Sequence, residues 1–446
     1  MSDMNPTANS RDAPAGWIDL REPAARAAKA AKPARTSMLD VDGGAAFSLF
    51  LVMLFIPQLD TAGPALFVLI SVAYGAWRAR QLSAILRPRA FLLVIPAIAV
   101  LSCLWSDEPL LSIKYSLEFA LTIMVALILS AAPRPKGVIE GIFLAFAVHI
   151  FASFALGQAV VLGNNGDTAF AGLNDSKNLL ADEAATGFMT TLAVFVIGLE
   201  DGKSFRCVAA VLAAAIQIYV ILAARSAGAI VGVVGASLVF LILLVLRNTS
   251  FMVRSSALGV TALFLSSAAL AYGTLSDVFV DIATRYFEKD MTFTGRTYLW
   301  ERAADLIHER PLLGRGYHAF WLQGNPDAEG LWRYLGIRNE YGFNFHNTFV
   351  ELLVHFGGIG LFLFGICFVV GLAFLVLRFV RLPNLALCFW LSIIVYEAVR
   401  MPIETVIPGE FSISTILILT GLGLALGQAP VRAPSPTRQA WAARGV

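Results

Sequence analysis

Between Thr294 and His346 the chain reads TGRTYLWERAADLIHERPLLGRGYHAFW, then a polar interval, then FNFHN, and it is here that arginines, glycines and a histidine gather. Gly295 and Arg296 stand directly before a stretch with helical spacing. The first N–H groups of a helix are unpaired and the helix dipole is positive there, so an adjacent arginine makes a bidentate site for a phosphate. The same two residues also fit an ordinary capping turn with a solvated arginine. His346 and Asn347 come where the polar interval gives way to the apolar run beginning FVELLVHFGGIGLFLF. A histidine at such a boundary can accept a proton or donate a hydrogen bond near pH 7, and it equally suits a cap or an interfacial position. Arg225, in ILAARSAGAIVG, lies between two apolar runs with almost no loop. Its charge should sit close to a membrane surface within a helix bundle, where charges are retained for a ligand or a partner.

These residues need a scaffold built for lipid. With 446 residues, 58% hydrophobic and 14% charged, and a mean hydropathy of +0.73, the chain is not a soluble globular protein, whose charged fraction is nearer a quarter. The net charge of +2 is too small to imply a nucleic-acid surface. Apolar runs of about 20 residues predict roughly twelve membrane spans, near 44–58, 61–77, 90–105, 115–131, 138–162, 180–198, 207–224, 227–246, 255–274, 347–377, 385–399 and 411–427. The fold class predicted is therefore all-α and polytopic. Its parts are a disordered tail over 1–43, nine spans over 44–274, a long loop over 275–346, three spans over 347–427 and a second tail over 428–446. The first forty residues are rich in Ala, Pro and basic residues and lack the apolar surface to order themselves. They carry no signal-peptide pattern, so the first span is expected to act as the insertion signal.

Lys and Arg accumulate in cytoplasmic loops, and with both tails inside, the inside segments hold 21 of the 33. Of the other twelve, eight lie in the long loop, leaving Lys114, Lys177, Arg225 and Arg400 as lone cations in short outside loops. Each either snorkels to lipid headgroups or serves a ligand. Glu397, three residues before Arg400, reads as its helix-end salt-bridge partner.

Within the long loop, Leu299, Trp300, Ala303, Leu306 and Ile307 share one face at three- and four-residue spacing, opposite Glu301, Arg302, Asp305 and Arg310. That pattern predicts an amphipathic helix lying on the membrane or over the spans. Pro311 ends it, and Gly314 and Gly316 allow a sharp turn. His149, His308, His318 and His355 are expected to be structural. Cys103, Cys207, Cys367 and Cys388 lie in apolar runs without CxxC spacing and read as buried thiols.

In order along the chain, SCLWSDEPLLS, GLNDSKNLLA, the ARSAG turn, GR with Trp300 four residues on, RPLLGRGYHAFW and HNTFVELLVHFGGIG together resemble the O-antigen ligase and polysaccharide polymerase family, the WaaL, Wzy and ExoQ group. The wording LLGRGYHAFW looks most like ExoQ-type exopolysaccharide polymerases. The resemblance implies a GT-C-like enzyme of the bacterial inner membrane. It would transfer a glycan from undecaprenyl pyrophosphate to an acceptor sugar hydroxyl at the periplasmic face, with inversion. The family's functional arginines match Arg225 and Arg296, and its histidine matches His346. Lys177 and Asn178 keep part of a motif in which relatives often have a His-Lys-Asn run; here it reads DSKN. With Asn347 and Arg400 they are the expected substrate-binding residues, and Glu351 an expected support for His346.

A departing pyrophosphate must be stabilised by positioned cations. The Asp-x-Asp pair that soluble glycosyltransferases use for Mg²⁺ occurs as Asp40-Val41-Asp42, which falls in the expected tail. A metal- and cofactor-independent enzyme is therefore predicted, with lipid bilayer, lipid-linked donor, glycan acceptor, and flippase or chain-length and export proteins as partners. The alternatives are an O-antigen ligase acting on lipid A core, a flippase for lipid-linked sugar, and a non-catalytic scaffold.

Overall fold

The computed structural model describes residues 40–162, 167–270, 296–337, 340 and 342–426. Residues 1–39 and 427–446, and the first part of the long loop through Gly295, lie outside the described residues. The protein is a polytopic, mostly helical membrane protein. In chain order its helices are α1 (Val41–Leu54), α2 (Ala62–Trp77), α3 (Pro109–Leu129), α4 (Pro135–Leu156), α5 (Lys177–Glu200), α6 (Ser204–Ala223), α7 (Ala227–Leu246), α8 (Phe251–Leu270), α9 (Arg296–Glu309), α10 (Pro326–Leu335), α11 (Thr348–Arg381), α12 (Leu385–Arg400) and α13 (Ile413–Ala425). Helical turns fill 79–104 between α2 and α3. Helix covers the greater part of each expected span among the described residues, except that the fifth ends in a strand and residues 271–274 of the ninth lie outside them. Among the described residues, seven helical segments are long and apolar enough to cross a membrane by length and composition, while α1, α2 and α13 are shorter apolar helices.

Two boundaries differ from those predicted. The expected tail reaches residue 43, but α1 begins at Val41 because Asp40 caps it, its Oδ1 accepting the N–H of Gly43 at 2.8 Å. Asp42 is accordingly buried in helix and paired with Arg78 at 2.5 Å. The fifth span was expected to run to 162, whereas α4 stops at Leu156. From there the chain forms a two-stranded antiparallel sheet, β1 (Gln158–Leu162) with β2 (Asp167–Gly172), in which Ala159 faces Phe170. The apolar run of β1 is β-branched, which suits a strand as well as a span end. Cys103 and Cys207 are half-buried rather than buried; Cys367 and Cys388 are buried as expected.

Charges expected on the inside hold one end of the bundle together. Arg206 pairs with buried Glu140 at 2.9 Å, and Lys136 and Arg247 both reach Glu200. Such pairs fix helix ends more than they add stability.

At the other end, the resembling motifs prove to be parts of one joint. The backbone of α11 leaves helical geometry at Gly357 (φ 63°, ψ −167°), which opens its hydrogen-bond ladder. The turn after α9 fills the gap. Gly358 and Ile359 donate to the carbonyls of Pro311 and Leu312, while Arg315 and Gly316 donate to those of Val354 and His355. From the other side, the Trp105 indole N–H donates to Leu313 O at 2.8 Å, Asp107 N to Arg315 O, and Ser112 Oγ to Tyr317 O. A Cβ at Gly357 would stand 2.2 Å from the Leu312 carbonyl carbon. Gly357→Ala is therefore expected to cost about 2 kcal/mol or more and to lower the melting temperature of the purified protein by several degrees in a thermal-shift assay. Unchanged melting would mean that the joint does not hold the loop.

A small separate core then positions α9 and α10. Leu299, Ala303 and Leu306 pack with Leu331, Trp332, Phe320, Phe345 and Val354. The amphipathic helix predicted from spacing is α9, with its apolar face buried against the loop and the start of α11.

Candidate functional site

Asn347 is the N-cap of α11. Its side chain accepts the N–H groups of Phe349 (2.9 Å) and Val350 (3.2 Å), and its Nδ2 donates to Pro402 O at 3.0 Å. Thr348 ties the same corner down, its N–H donating to Met401 O and its hydroxyl to Glu404 O at 2.9 Å. His346, one residue earlier, is held at φ 50°, with its N–H on Asn344 Oδ1 at 2.8 Å. Glu351, expected to support His346, accepts the N–H of the preceding Phe345 at 2.8 Å and lies 3.2 Å from His355 Nε2. Trp300, one turn along α9 from Arg296, donates its indole N–H to Phe345 O at 2.8 Å. That bond sets α9, and so Arg296, in register with His346. Trp300→Phe keeps an aromatic ring in the loop core and deletes the indole N–H bond, worth about 1 kcal/mol. The variant is expected to fold normally and to lose turnover about 3- to 10-fold through misalignment, with its melting temperature within a few degrees of the parent. Unaltered turnover would detach Trp300 from the site.

Glu404 joins the two ends. Its Oε1 takes Arg296 Nη2 at 2.7 Å and its Oε2 lies 3.1 Å from His346 Nδ1, while Arg296 Nη1 donates to the carbonyl of Ile403. Burial works against the charge of this carboxyl, yet the hydrogen bond to His346 and the Arg296 guanidinium hold it below the usual carboxylate range. An ionised Glu404 accepts a proton-bearing Nδ1, which leaves Nε2 of His346 as the basic nitrogen. The result is a carboxylate–histidine pair with an arginine balancing the carboxylate.

The remaining predicted residues assemble around the α6–α7 turn and the start of α5. Arg225 adopts φ 51° and is exposed, and its side chain makes no hydrogen bond or ion pair among the described residues. Lys177 Nζ donates to the Arg225 carbonyl at 3.2 Å, and Asn178 is half-buried beside it in the first turn of α5. A Cβ at Gly228 would lie 3.3 Å from Ile403, which places this turn against the segment that receives Arg296. Arg400 forms the expected pair with Glu397 (2.8 Å), but also binds Asp182 of α5 at 2.7 Å, and Tyr396 OH donates to the same carboxylate. Arg400 therefore clamps α12 to α5; of its two carboxylate partners, Glu397 is legible from i, i+3 spacing and Asp182 is not.

Two spaces border these groups. An apolar groove of about 290 Å³ runs between α6 and α7, lined by Leu222 and Ile230 on either side of the Arg225 turn and by Phe188 of α5. A larger cavity of about 800 Å³ is bounded by Tyr115, His318, Trp321, Phe343 and Glu410. His318, expected to be structural, lines it and pairs with Glu410 at 3.0 Å, while Tyr317 OH donates to the same carboxylate at 2.8 Å. Burial opposes the charge on both groups, but each stabilises the other: the Glu410 carboxyl is drawn down to about 2 and the His318 imidazolium is favoured above its ordinary value. Glu404 and Glu410 were not foreseen. The available signal was that they occupy the same short segment as Arg400, expected on the same side as the excess cations of the long loop.

Residues 212–365 match the family described as O-antigen ligase. Over 306 residues the chain is 32% identical to the exopolysaccharide production protein ExoQ of Rhizobium meliloti, a match covering 66% of this chain and 68% of that protein.

Proposed function

The chain belongs to the O-antigen ligase family, and on that premise we propose that it is a glycosyltransferase that polymerises lipid-linked oligosaccharide repeat units in exopolysaccharide synthesis. The observation that carries this reading is Glu404 bridging Arg296 and His346 beside the Arg225 turn. The donor would be a glycan on undecaprenyl pyrophosphate, approached from the periplasmic face of the bacterial inner membrane, with about twelve spans, a GT-C-like arrangement and both termini cytoplasmic. The groove between α6 and α7 suits a polyprenyl chain, and it leads to the exposed guanidinium of Arg225 with Lys177 and Asn178 adjacent.

In the transfer, His346 Nε2 takes the proton of an acceptor sugar hydroxyl. The freed oxygen attacks the anomeric carbon from the face opposite the pyrophosphate, and the carbon–oxygen bond to the phosphate breaks. One displacement inverts the anomeric centre. Negative charge appears on the departing pyrophosphate, where Arg225 and Lys177, with the Arg296 edge of the site, offset it. Glu404 holds His346 in the tautomer that can act as base and stabilises the imidazolium that forms. Arg400, through Asp182, positions the start of α5 that carries Lys177 and Asn178. Flippase and chain-length or export proteins are the partners such a polymerase would work beside.

The family description favours a second reading, a ligase that moves a finished glycan to lipid A core. Sizing the surface polysaccharide of a deletion strain separates the two: single repeat units mean polymerase, and free long polymer on the carrier means ligase. Because arginines and a lysine supply the positive charge, turnover by the purified enzyme is expected to be undiminished in EDTA. A strict Mg²⁺ requirement would contradict this mechanism.

A further inference from the structure

The 800 Å³ cavity has features of a carbohydrate cleft, and its size lies in the range of small-molecule binding sites, roughly 300–1,000 Å³. Flat rings form part of its wall. Tyr115 stacks on His318 with centroids 4.5 Å apart, and Trp321 packs against Phe343 at 4.9 Å. Tyr115, Trp321 and Phe343 remain partly exposed, and such ring surface suits the C–H groups of a sugar. Between the rings stand hydrogen-bonding groups suited to hydroxyls. Asp107, Glu108, Glu340 and Glu410 line the space, against Arg315 and His318. Charged acceptors of this kind make the stronger hydrogen bonds. Trp332, 2% exposed, borders the same cavity, and its indole N–H has no partner among the described residues. A buried donor of that kind is costly unless something supplies an acceptor.

Position assigns the cavity a role. Phe343 lines it and makes an edge contact with His346 at 5.7 Å, so the cavity adjoins the histidine. The Arg225 turn is reached from the same centre by another route, through Ile403. Donor pyrophosphate and cavity therefore approach His346 separately.

We propose that this cavity is the acceptor-glycan subsite, and that its acidic lining selects neutral sugars over uronic acids. The assignment to the acceptor rests on the polymerase reading; the sugar-binding cleft itself does not. An anionic sugar would meet four carboxylates against the Arg315 guanidinium and the His318 imidazolium, whereas neutral hydroxyls find several carboxylate acceptors.

The test uses the full chain in nanodiscs, titrated with cellotetraose as a neutral probe and tetragalacturonate as an anionic one, read by saturation-transfer NMR and tryptophan fluorescence. Cellotetraose is expected to bind and tetragalacturonate to bind at least tenfold more weakly. Trp321→Leu should weaken the neutral probe at least tenfold. Glu108→Lys, at an exposed position that does not threaten folding, should narrow the preference several-fold. No binding of cellotetraose, or binding that neither variant alters, overturns the proposal. Undecaprenyl pyrophosphate binding and turnover are measured in parallel. If they persist while the probes fail, the cleft is wrong and the polymerase reading stands. If cellotetraose binds as expected but no transfer occurs, the polymerase reading fails and the sugar cleft stands.

Discussion

Glu404→Gln is expected to lower turnover about 10²- to 10³-fold, within the roughly 10²- to 10⁴-fold that general acid–base catalysis contributes, with the protein still folded and inserted. The side chain keeps its length and can still reach Arg296 and His346, but it loses the charge that links them. An amide nitrogen turned toward His346 would force the opposite tautomer, placing the proton on Nε2, where the acceptor hydroxyl needs a base. An amide oxygen turned there would leave the orientation intact but withdraw the anion that stabilises the imidazolium. Either way the loss appears in kcat, because ground-state binding of the lipid does not depend on that proton. The measurement is steady-state polymerisation by purified variant and parent, with thermal melting as a control for folding. A Glu404→Gln enzyme with parental kcat would remove the carboxylate–histidine pair from the mechanism.

Arg296→Lys should be of similar severity, lowering kcat/KM about 10²-fold. The guanidinium contacts two oxygens in different directions, the Glu404 carboxylate and the Ile403 carbonyl, from the first turn of α9. A lysine ammonium is a point donor on a different stem and cannot hold both while facing a pyrophosphate. Since Arg296 and Glu404 act as one unit, the double variant is expected to be hardly worse than either single one. Losses that multiply would mean that the two residues serve separate steps. Full activity in Arg296→Lys would dismiss the arginine from the site.

Much of this arrangement was legible because it lies in local pattern. The spacing of Leu299, Ala303 and Leu306 reveals α9, and Asn347 before an apolar run reveals the cap that sets His346. The placement of Lys and Arg singled out Lys177, Arg225 and Arg400, which the structure brings to one end of the bundle with Arg296 and His346. Partnership across distant segments was not legible. Glu404 follows a proline in an aperiodic connection, and nothing local tells that it faces residues 58 and 108 positions earlier. Asp182 lies in an apolar span, and nothing in its surroundings along the chain points to Arg400 of α12 as its partner. His318 is expected from sequence to be structural, yet its Glu410 partner comes from beyond three further helices, α10, α11 and α12. The strand β1 was read as the end of a span because a run of Gln-Ala-Val-Val-Leu has no period that separates the two. Arg296 also changes meaning: an arginine expected to await an anion is already engaged by a carboxylate, so its role includes holding the base in place.

The most direct measurement is reconstitution of the purified chain with undecaprenyl-pyrophosphate-linked repeat units from its own source and no other protein, followed by gel sizing of the product and NMR of the new linkage. The expected result is a ladder of lengthening glycans that remain carrier-linked, with the new bond inverted relative to the donor and the ladder abolished in His346→Ala. No ladder from an active donor preparation, a retained anomer, or a ladder that survives His346→Ala would contradict a polymerase built on the Arg296–Glu404–His346 site.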